Sequence, residues 1–230
     1  ERAIEALEAA RRTGDADAKM LERLGELMLR VGQAARAVTV FEDAARRTEE
    51  KTAQARLWLR VGELYEKSIG HEPLAVDKYN AALDANPACL DAFANIERLL
   101  SLRGAWGRLE ENYRAMIARA KTLGPQSQAT LWRGLGSLYR SKLDNLDGAI
   151  VAYEVVTKLV PGISADVAAL AEISAQKPEK RSQAIALNLV LAQQSDNPVQ
   201  PIRALRRLFH ADQQFDSVYV MCHTLEVLGA

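Results

Sequence analysis

A 74-residue internal repeat is the feature that most restricts how this chain can fold. One stretch carries the spaced landmarks Trp58, Gly62, Tyr65, Tyr79 and Pro87. Adding 74 to each number gives residues of the same type: Trp132, Gly136, Tyr139, Tyr153 and Pro161. Self-similarity at a fixed spacing is typical of stacked-repeat proteins, in which each unit buries its apolar face against its neighbours. We therefore expect one extended core without a globular centre.

The order of these landmarks resembles the tetratricopeptide repeat (TPR), a helix-turn-helix unit of 34 residues. The resemblance implies an all-α fold, a right-handed superhelical solenoid of antiparallel helix pairs. We expect about six repeats after one leading helix. Both copies have one extra residue before the second helix, which we expect in the turn. The style of the repeats resembles bacterial multi-repeat scaffolds, and because the chain opens inside a helical pattern we expect a fragment of a longer array.

Apolar residues at i, i+3, i+4 and i+7 spacing predict the helices within each unit. Polar residues 46–54 are expected to precede the Trp58 unit, and residues 121–127 to form a longer loop between repeats because of Gly124-Pro125. The unit after Pro161 is the most degenerate. The predicted single solenoid divides into a half-unit at 1–17 and repeats at 18–54, 55–89, 90–128, 129–163, 164–198 and 199–230.

Composition argues against several classes of function. The 30 Lys and Arg residues balance 30 Asp and Glu residues, whereas a nucleic-acid-binding protein normally has a strongly basic face. No apolar run reaches the length of about 18 residues that a membrane span needs. The two cysteines, Cys89 and Cys222, fit no zinc or redox spacing, which favours a reducing compartment. We therefore expect a cytoplasmic protein that binds neither nucleic acid nor cofactor.

Catalytic and metal sites are also not expected. A zinc site from His210, Cys222 and His223 would need three convergent ligands and a fourth, and no Ser/His/Asp arrangement stands out. The landmark Trp and Tyr residues are interpreted as core packing. Gly62 and Gly136 lie within predicted helices, where we expect them to permit close helix approach.

The remaining candidate site is the concave groove, which the first helices of TPR proteins line. The family's groove positions, carried over to this sequence, indicate mixed charges in the early repeats and mostly basic ones later. Solvated helix faces are the alternative interpretation. Only Asn95 matches the carboxylate clamp of chaperone-binding members, so binding of chaperone tails is disfavoured. The predicted partner-binding residues are Asn95, Arg98, Arg133, Ser137, Arg140, Arg203 and Arg207.

These observations predict a non-catalytic interaction scaffold or adaptor that binds a partner protein or peptide through the groove. An acidic segment is expected on the basic groove, and a small folded regulator such as a GTPase is an equally plausible partner. The resemblance suggests roles in bacterial motility, polarity, envelope assembly or regulation. Two alternatives remain open: a self-associating structural spacer, and a regulatory solenoid attached to an enzyme domain outside this segment.

Overall fold

The computed structural model describes residues 2–230, so Glu1 of the predicted half-unit lies outside the described residues. Those residues form 13 α-helices and no strand. The contacts divide the chain into two compact units, with the boundary in sequence between Leu123 and Gly124. The first unit contains α1 (Arg2–Thr13), α2 (Ala18–Arg30), α3 (Ala34–Arg47), α4 (Lys51–Leu64), α5 (Glu72–Ala85), α6 (Leu90–Leu102) and α7 (Trp106–Arg119). The second contains α8 (Pro125–Ser141), α9 (Leu146–Leu159), α10 (Ser164–Ser174), α11 (Arg181–Gln194), α12 (Val199–Ala211) and α13 (Phe215–Val227).

Within each unit, helices that follow one another in sequence pack against one another as pairs. The pairs α2/α3 and α4/α5 form the centre of the first unit, and α8/α9, α10/α11 and α12/α13 form the second. Each pair also contacts the next through its second helix, as α3 does with α4 and α9 with α10. The predicted all-α repeat architecture is therefore confirmed.

Glycine in the first helix and an aromatic ring in the second hold three of these pairs together. A Cβ atom at Gly25, Gly62 or Gly136 would lie 2.7, 2.5 or 2.9 Å from the ring of Phe41, Tyr79 or Tyr153, respectively. Such distances are far shorter than the usual contact of about 3.5–4.0 Å. Only glycine lets these rings pack flat against the facing helix, which explains why a residue that disfavours helices occupies a helix interior.

The extra residue of the two landmark copies was predicted in the turn, and the structure shows how the end of the first helix and the turn after it are built in each copy. In one copy α4 continues into a π-helical segment, Tyr65–Ile69, and Gly70 then adopts the left-handed conformation with φ 76°. His71 N–H donates to the Tyr65 carbonyl in this turn, and Asn145 N–H donates to the Tyr139 carbonyl in the other copy. The same wide hydrogen bond thus closes both turns.

Two local predictions were wrong. Residues 46–54 are not simply a polar extension, since α4 begins at Lys51 and the Glu50 carboxylate caps it by accepting from the Thr52 and Ala53 N–H groups. Residues 121–127 are not a loop throughout. A 3₁₀ turn covers Ala120–Thr122 and α8 begins at Pro125, because proline suits the first turn of a helix, where its missing N–H costs nothing.

Candidate interaction surface

In the first unit, the predicted residues Asn95 and Arg98 lie together on α6. The Arg98 guanidinium is 2.6 Å from a carboxylate oxygen of Glu66 and 3.4 Å from the Asn95 side-chain oxygen. Glu66 in turn accepts a hydrogen bond of 2.8 Å from the Tyr79 hydroxyl. Burial and this hydrogen bond raise the pKa of Tyr79 well above its usual value. Arg98 therefore belongs to a network that links two neighbouring repeats.

In the second unit, Arg133 forms the most buried ion pair of the predicted set. Its guanidinium donates to both carboxylate oxygens of Asp166, at 2.7 and 2.8 Å. The Asp166 side chain is only 4% exposed, and this hydrogen bonding raises the pKa of Arg133. Planar, two-point pairing of this kind is both strong and directional. We infer that Arg133 fixes α8 against α10.

Arg140 and Ser137 lie further along α8 and are both exposed. The Arg140 guanidinium is 2.5 Å from a Glu172 carboxylate oxygen, so this arginine also pairs with the next repeat. The Ser137 carbonyl accepts a hydrogen bond from the Ser141 hydroxyl. The arginines at 133 and 140 are thus both neutralised by carboxylates of α10.

Arg203 and Arg207 on α12 differ from the other predicted arginines. Neither has a carboxylate within ion-pair distance in residues 2–230, and the same holds for Arg206 beside them. Arg207 is exposed and Arg203 is partly exposed. The structure therefore places the uncompensated positive charge of the predicted set on α12.

A shift of 35 residues aligns the pair α8/α9 with α10/α11, since Leu146 at the start of α9 becomes Arg181 at the start of α11. The same shift brings α10 onto α12. Under this shift, Arg133, Arg140 and Tyr153 correspond to Ala168, Ala175 and Asn188, respectively. Asp166 and Glu172 correspond to Pro201 and Arg207. Two ion pairs and an aromatic ring at one junction are thus replaced, at the next, by small side chains and one arginine.

These replacements create a cavity within the second unit. It has a volume of about 440 Å³ and is lined mainly by apolar atoms of α10, α11 and α12. Ala168 and Ala171 line it from α10, Ala175 from the residue that follows this helix, and Pro201 and Arg207 from α12. All five of the replacements named above contribute to its wall. The cavity is therefore the direct result of losing the side chains that fill the preceding junction.

Asn188 supplies a polar group to the wall of this cavity. The residue is only 6% exposed, and its amide N–H donates to the Ala184 carbonyl at 2.8 Å. Its side-chain oxygen accepts no hydrogen bond from any described residue. An unused acceptor in the cavity wall can accept a hydrogen bond from a ligand that carries an O–H or N–H group.

Sequence reasoning named Asn188 as a second-helix core residue and missed its role in a cavity. The available signal was the residue type itself. The strongest repeats carry Tyr79 and Tyr153 at this place, whereas the α10/α11 repeat carries Asn188. A small residue in place of a large core residue leaves space unless the neighbours grow. Here the facing residue changes only from Gly136 to Ala171, which does not fill it.

The histidines do not converge. His71 caps α5 by accepting from the Leu74 N–H, the His210 ring meets Phe215 edge to face, and His223 lies near Glu226. Within residues 2–230 there is no cluster of three or more potential metal ligands. Both cysteines are unpaired thiols. No described helix is long and apolar enough to cross a membrane.

Comparison with solved structures identifies the fold as that of TPR proteins. The C-terminal part of a TPR repeat-containing protein from Cytophaga hutchinsonii is 17% identical, with a TM-score of 0.51, over 95% of this chain and 86% of that one. YrrB, described as a TPR protein with an unusual peptide-binding site, is 13% identical, with a TM-score of 0.51, over 79% of this chain and 88% of that one.

A chain of the Naa15/Naa10 complex bound to HypK-THB gives a TM-score of 0.58 at 14% identity, over 98% of this chain and 34% of that chain. Neither a family model nor a curated protein sequence matches the chain significantly. The resemblance read from the landmarks is thus confirmed at the level of the fold: the chain has a TPR-type fold.

Proposed function

We propose that this chain is a non-catalytic interaction scaffold, which binds an acidic segment of a partner protein on the face formed by α10 and α12. The observation that carries the proposal is the contrast among the predicted arginines. Arg98, Arg133 and Arg140 are already paired, whereas Arg203 and Arg207 have no carboxylate partner in the described chain.

Unpaired surface cations are suited to recruiting an anionic partner. Complementary charge across an interface speeds association and discriminates against wrong partners, and it acts most strongly where the charge is not already neutralised. The paired arginines contribute little net field to a ligand. The proposed site therefore centres on α12. Asn95 and Arg98 lie in the other unit, and we still predict that they bind a partner, through a separate contact.

The TPR-type fold supports a peptide or a folded protein as partner. YrrB shares this fold and is described as having a peptide-binding site, which favours a peptide segment here by analogy. A small folded regulator such as a GTPase would present an acidic surface patch instead. Motility, polarity, envelope assembly and regulation in a bacterial cytoplasm are the processes we propose, and the identity of the bound partner decides among them.

Affinity capture with three baits tests this proposal. The first bait is the native chain, and the second carries Arg203→Glu and Arg207→Glu. The third is a matched control with Lys121→Glu and Lys158→Glu, which makes the same change in net charge at exposed lysines outside the α10–α12 face. Circular dichroism first establishes that all three baits are equally helical.

We expect a partner that the native and control baits capture and the Arg203/Arg207 variant loses. Binding of that purified partner should weaken as salt is raised, because exposed charges are screened. Retention by all three baits would contradict the proposal, and loss from both variants would show only a general charge effect and count against the α12 site.

Self-association is a second candidate, favoured by α13. This helix buries only Leu225, while Phe215, Tyr219, Val220 and Val227 are all more than half exposed. Clustered apolar side chains of this kind often mark a contact between proteins. Light scattering over a range of concentrations tests the idea: a Tyr219→Ser, Val227→Ser variant should reduce any concentration-dependent rise in mass, and a constant monomer mass would remove the candidate.

A further inference from the structure

The cavity among α10, α11 and α12 has the properties of a specificity site. We propose that it takes one aromatic side chain with a hydrogen-bond donor, Tyr or Trp, from the acidic segment of a partner. This inference rests on the proposed function, because it adds an anchor to the same α12 face. The inference goes beyond the proposed function by naming the class of residue that the partner must present.

The first argument concerns shape. In the preceding repeat the Tyr153 ring lies so close to Gly136 that an added Cβ would be 2.9 Å away. The 35-residue shift carries Tyr153 to Asn188 and Gly136 to Ala171, and both of these residues line the cavity. The cavity therefore lies at a junction that elsewhere holds a tyrosine of the protein itself. A partner's ring can fill it in the same way.

The second argument concerns size and polarity. About 440 Å³ is within the usual range for small-ligand sites, roughly 300–1,000 Å³, and leaves room for a whole aromatic side chain. Such sites are mostly apolar with a few placed polar groups. The unused side-chain oxygen of Asn188 is such a group, and a Tyr hydroxyl or Trp indole N–H supplies the donor that it lacks.

The third argument concerns charge. Arg207 lines the cavity and has no carboxylate partner, whereas its counterpart Glu172 at the preceding junction is paired with Arg140. Arg203 lies one helical turn earlier on α12, also unpaired. Carboxylates that flank the aromatic residue would meet these guanidinium groups. The same cations disfavour a basic segment, so acidic flanks are part of the recognition.

Synthetic fluorescent peptides provide the probe. The first peptide has one central Tyr among Asp and Glu residues, the second has Ala in place of Tyr, and the third keeps Tyr among Ser residues. Fluorescence anisotropy measures their binding to the native chain and to three variants. The first variant, Ala171→Gly with Asn188→Tyr, fills the cavity with the arrangement of the preceding repeat; the others are Arg207→Glu and its matched control Lys158→Glu.

On the native chain, we expect the Tyr-centred acidic peptide to bind roughly ten- to a hundredfold more tightly than the Ala-centred one, the gain associated with burying an aromatic side chain. The filled variant should lose this preference but keep its affinity for the Ala-centred peptide. Arg207→Glu should weaken both acidic peptides, and Lys158→Glu should leave them unchanged. The Ser-flanked peptide should bind more weakly than the acidic Tyr peptide.

Three results would overturn the inference. Equal affinity for Tyr- and Ala-centred peptides, with both still sensitive to Arg207→Glu, removes the aromatic anchor but leaves the proposed function. Binding of neither acidic peptide contradicts both. Preference for Tyr that persists in the filled variant places the ring elsewhere. Sedimentation of the native and filled chains tests a further occupant, since a dimer lost on filling would mean that a second copy occupies the cavity.

Discussion

The cavity can be refilled, and the stability of the refilled protein is our most specific prediction. The exchange Ala171→Gly should cost about 1 kcal/mol, because glycine is poor in a helix interior. The exchange Asn188→Tyr alone places a ring against the Ala171 methyl group. A Cβ atom at Gly62 or Gly136 would lie 2.5 or 2.9 Å from the tyrosine ring that faces it, and we expect a similar overlap between the new ring and the Ala171 Cβ. Overpacking of this kind costs about 1–3 kcal/mol.

In the double variant the ring has room, because position 171 no longer carries a Cβ. Burial of an aromatic side chain contributes about 1.5–3 kcal/mol, which offsets the helical cost of glycine. We therefore expect the double variant to be at least as stable as the native chain. The two exchanges should show a favourable coupling of about 2 kcal/mol, within the range measured for contacting residues.

Urea unfolding followed by circular dichroism, on the four members of this double-mutant cycle, measures the coupling. The reverse exchange, Gly136→Ala, is the matched control in the preceding repeat, where Tyr153 is present, and should destabilise the protein. A coupling near zero, or an Asn188→Tyr variant as stable alone as in the double variant, would refute the reasoning. The ring would then not lie against position 171.

Four further predictions concern contacts already described. Arg133→Ala should lower the free energy of unfolding by about 3 kcal/mol, because it leaves the buried Asp166 carboxylate unpaired. Arg140→Ala removes a more exposed ion pair and should cost less than about 1 kcal/mol. Equal losses of stability in urea unfolding would contradict this prediction. Tyr79→Phe should cost about 1–2 kcal/mol through the lost bond to the Glu66 carboxylate, whereas Tyr219→Phe, at an exposed ring, should change the urea midpoint little. Asp17→Ala should cost about 1 kcal/mol because its side chain caps α2 through the Met20 N–H, and Asp17→Asn should retain most of the stability. Backbone hydrogen bonds from Thr52 and Ala53 lower the pKa of Glu50 below its usual range, so its stabilising contribution is complete above the ordinary glutamate pKa and declines as the pH falls through the lowered value. Thermal melting of Glu50→Gln should therefore show less acid destabilisation than the native chain, and parallel curves would refute the assignment.

The repeat architecture could be predicted because its landmarks have large side chains with unmistakable packing roles. Leu21, Leu24 and Met28 follow helical spacing, and all three are fully buried in α2. The helix ends were harder to predict. Glu50 caps α4 although glutamate is not among the preferred capping residues, so the sequence offered no clear start for that helix.

The candidate site was only partly predictable, because the sequence shows charges but not their partners. Arg133 and Arg203 look alike in a groove assignment, yet one is held by a buried carboxylate and the other has none. Their difference depends on Asp166, which lies 33 residues away and belongs to another repeat. The binding role of these residues stays a prediction.

The ion pairs between neighbouring first helices have a direction along the chain. In the first unit the carboxylate comes from the earlier repeat and the arginine from the later one, as in Glu22–Arg56 and Glu66–Arg98. In the second unit the order is reversed, because Arg133 and Arg140 precede Asp166 and Glu172.

This polarity makes the repeats non-interchangeable even though their cores are alike. Moving the α10/α11 repeat to follow α4/α5 would set Glu172 beside Glu66, which stands where Arg140 stands in the later repeat, so like charges would repel. Asp166 would lose its partner, because Leu59 stands where Arg133 does. The surface charges thus specify the order of the modules, and an engineer who shuffles or duplicates repeats of this protein must transfer whole junctions, not single helix pairs.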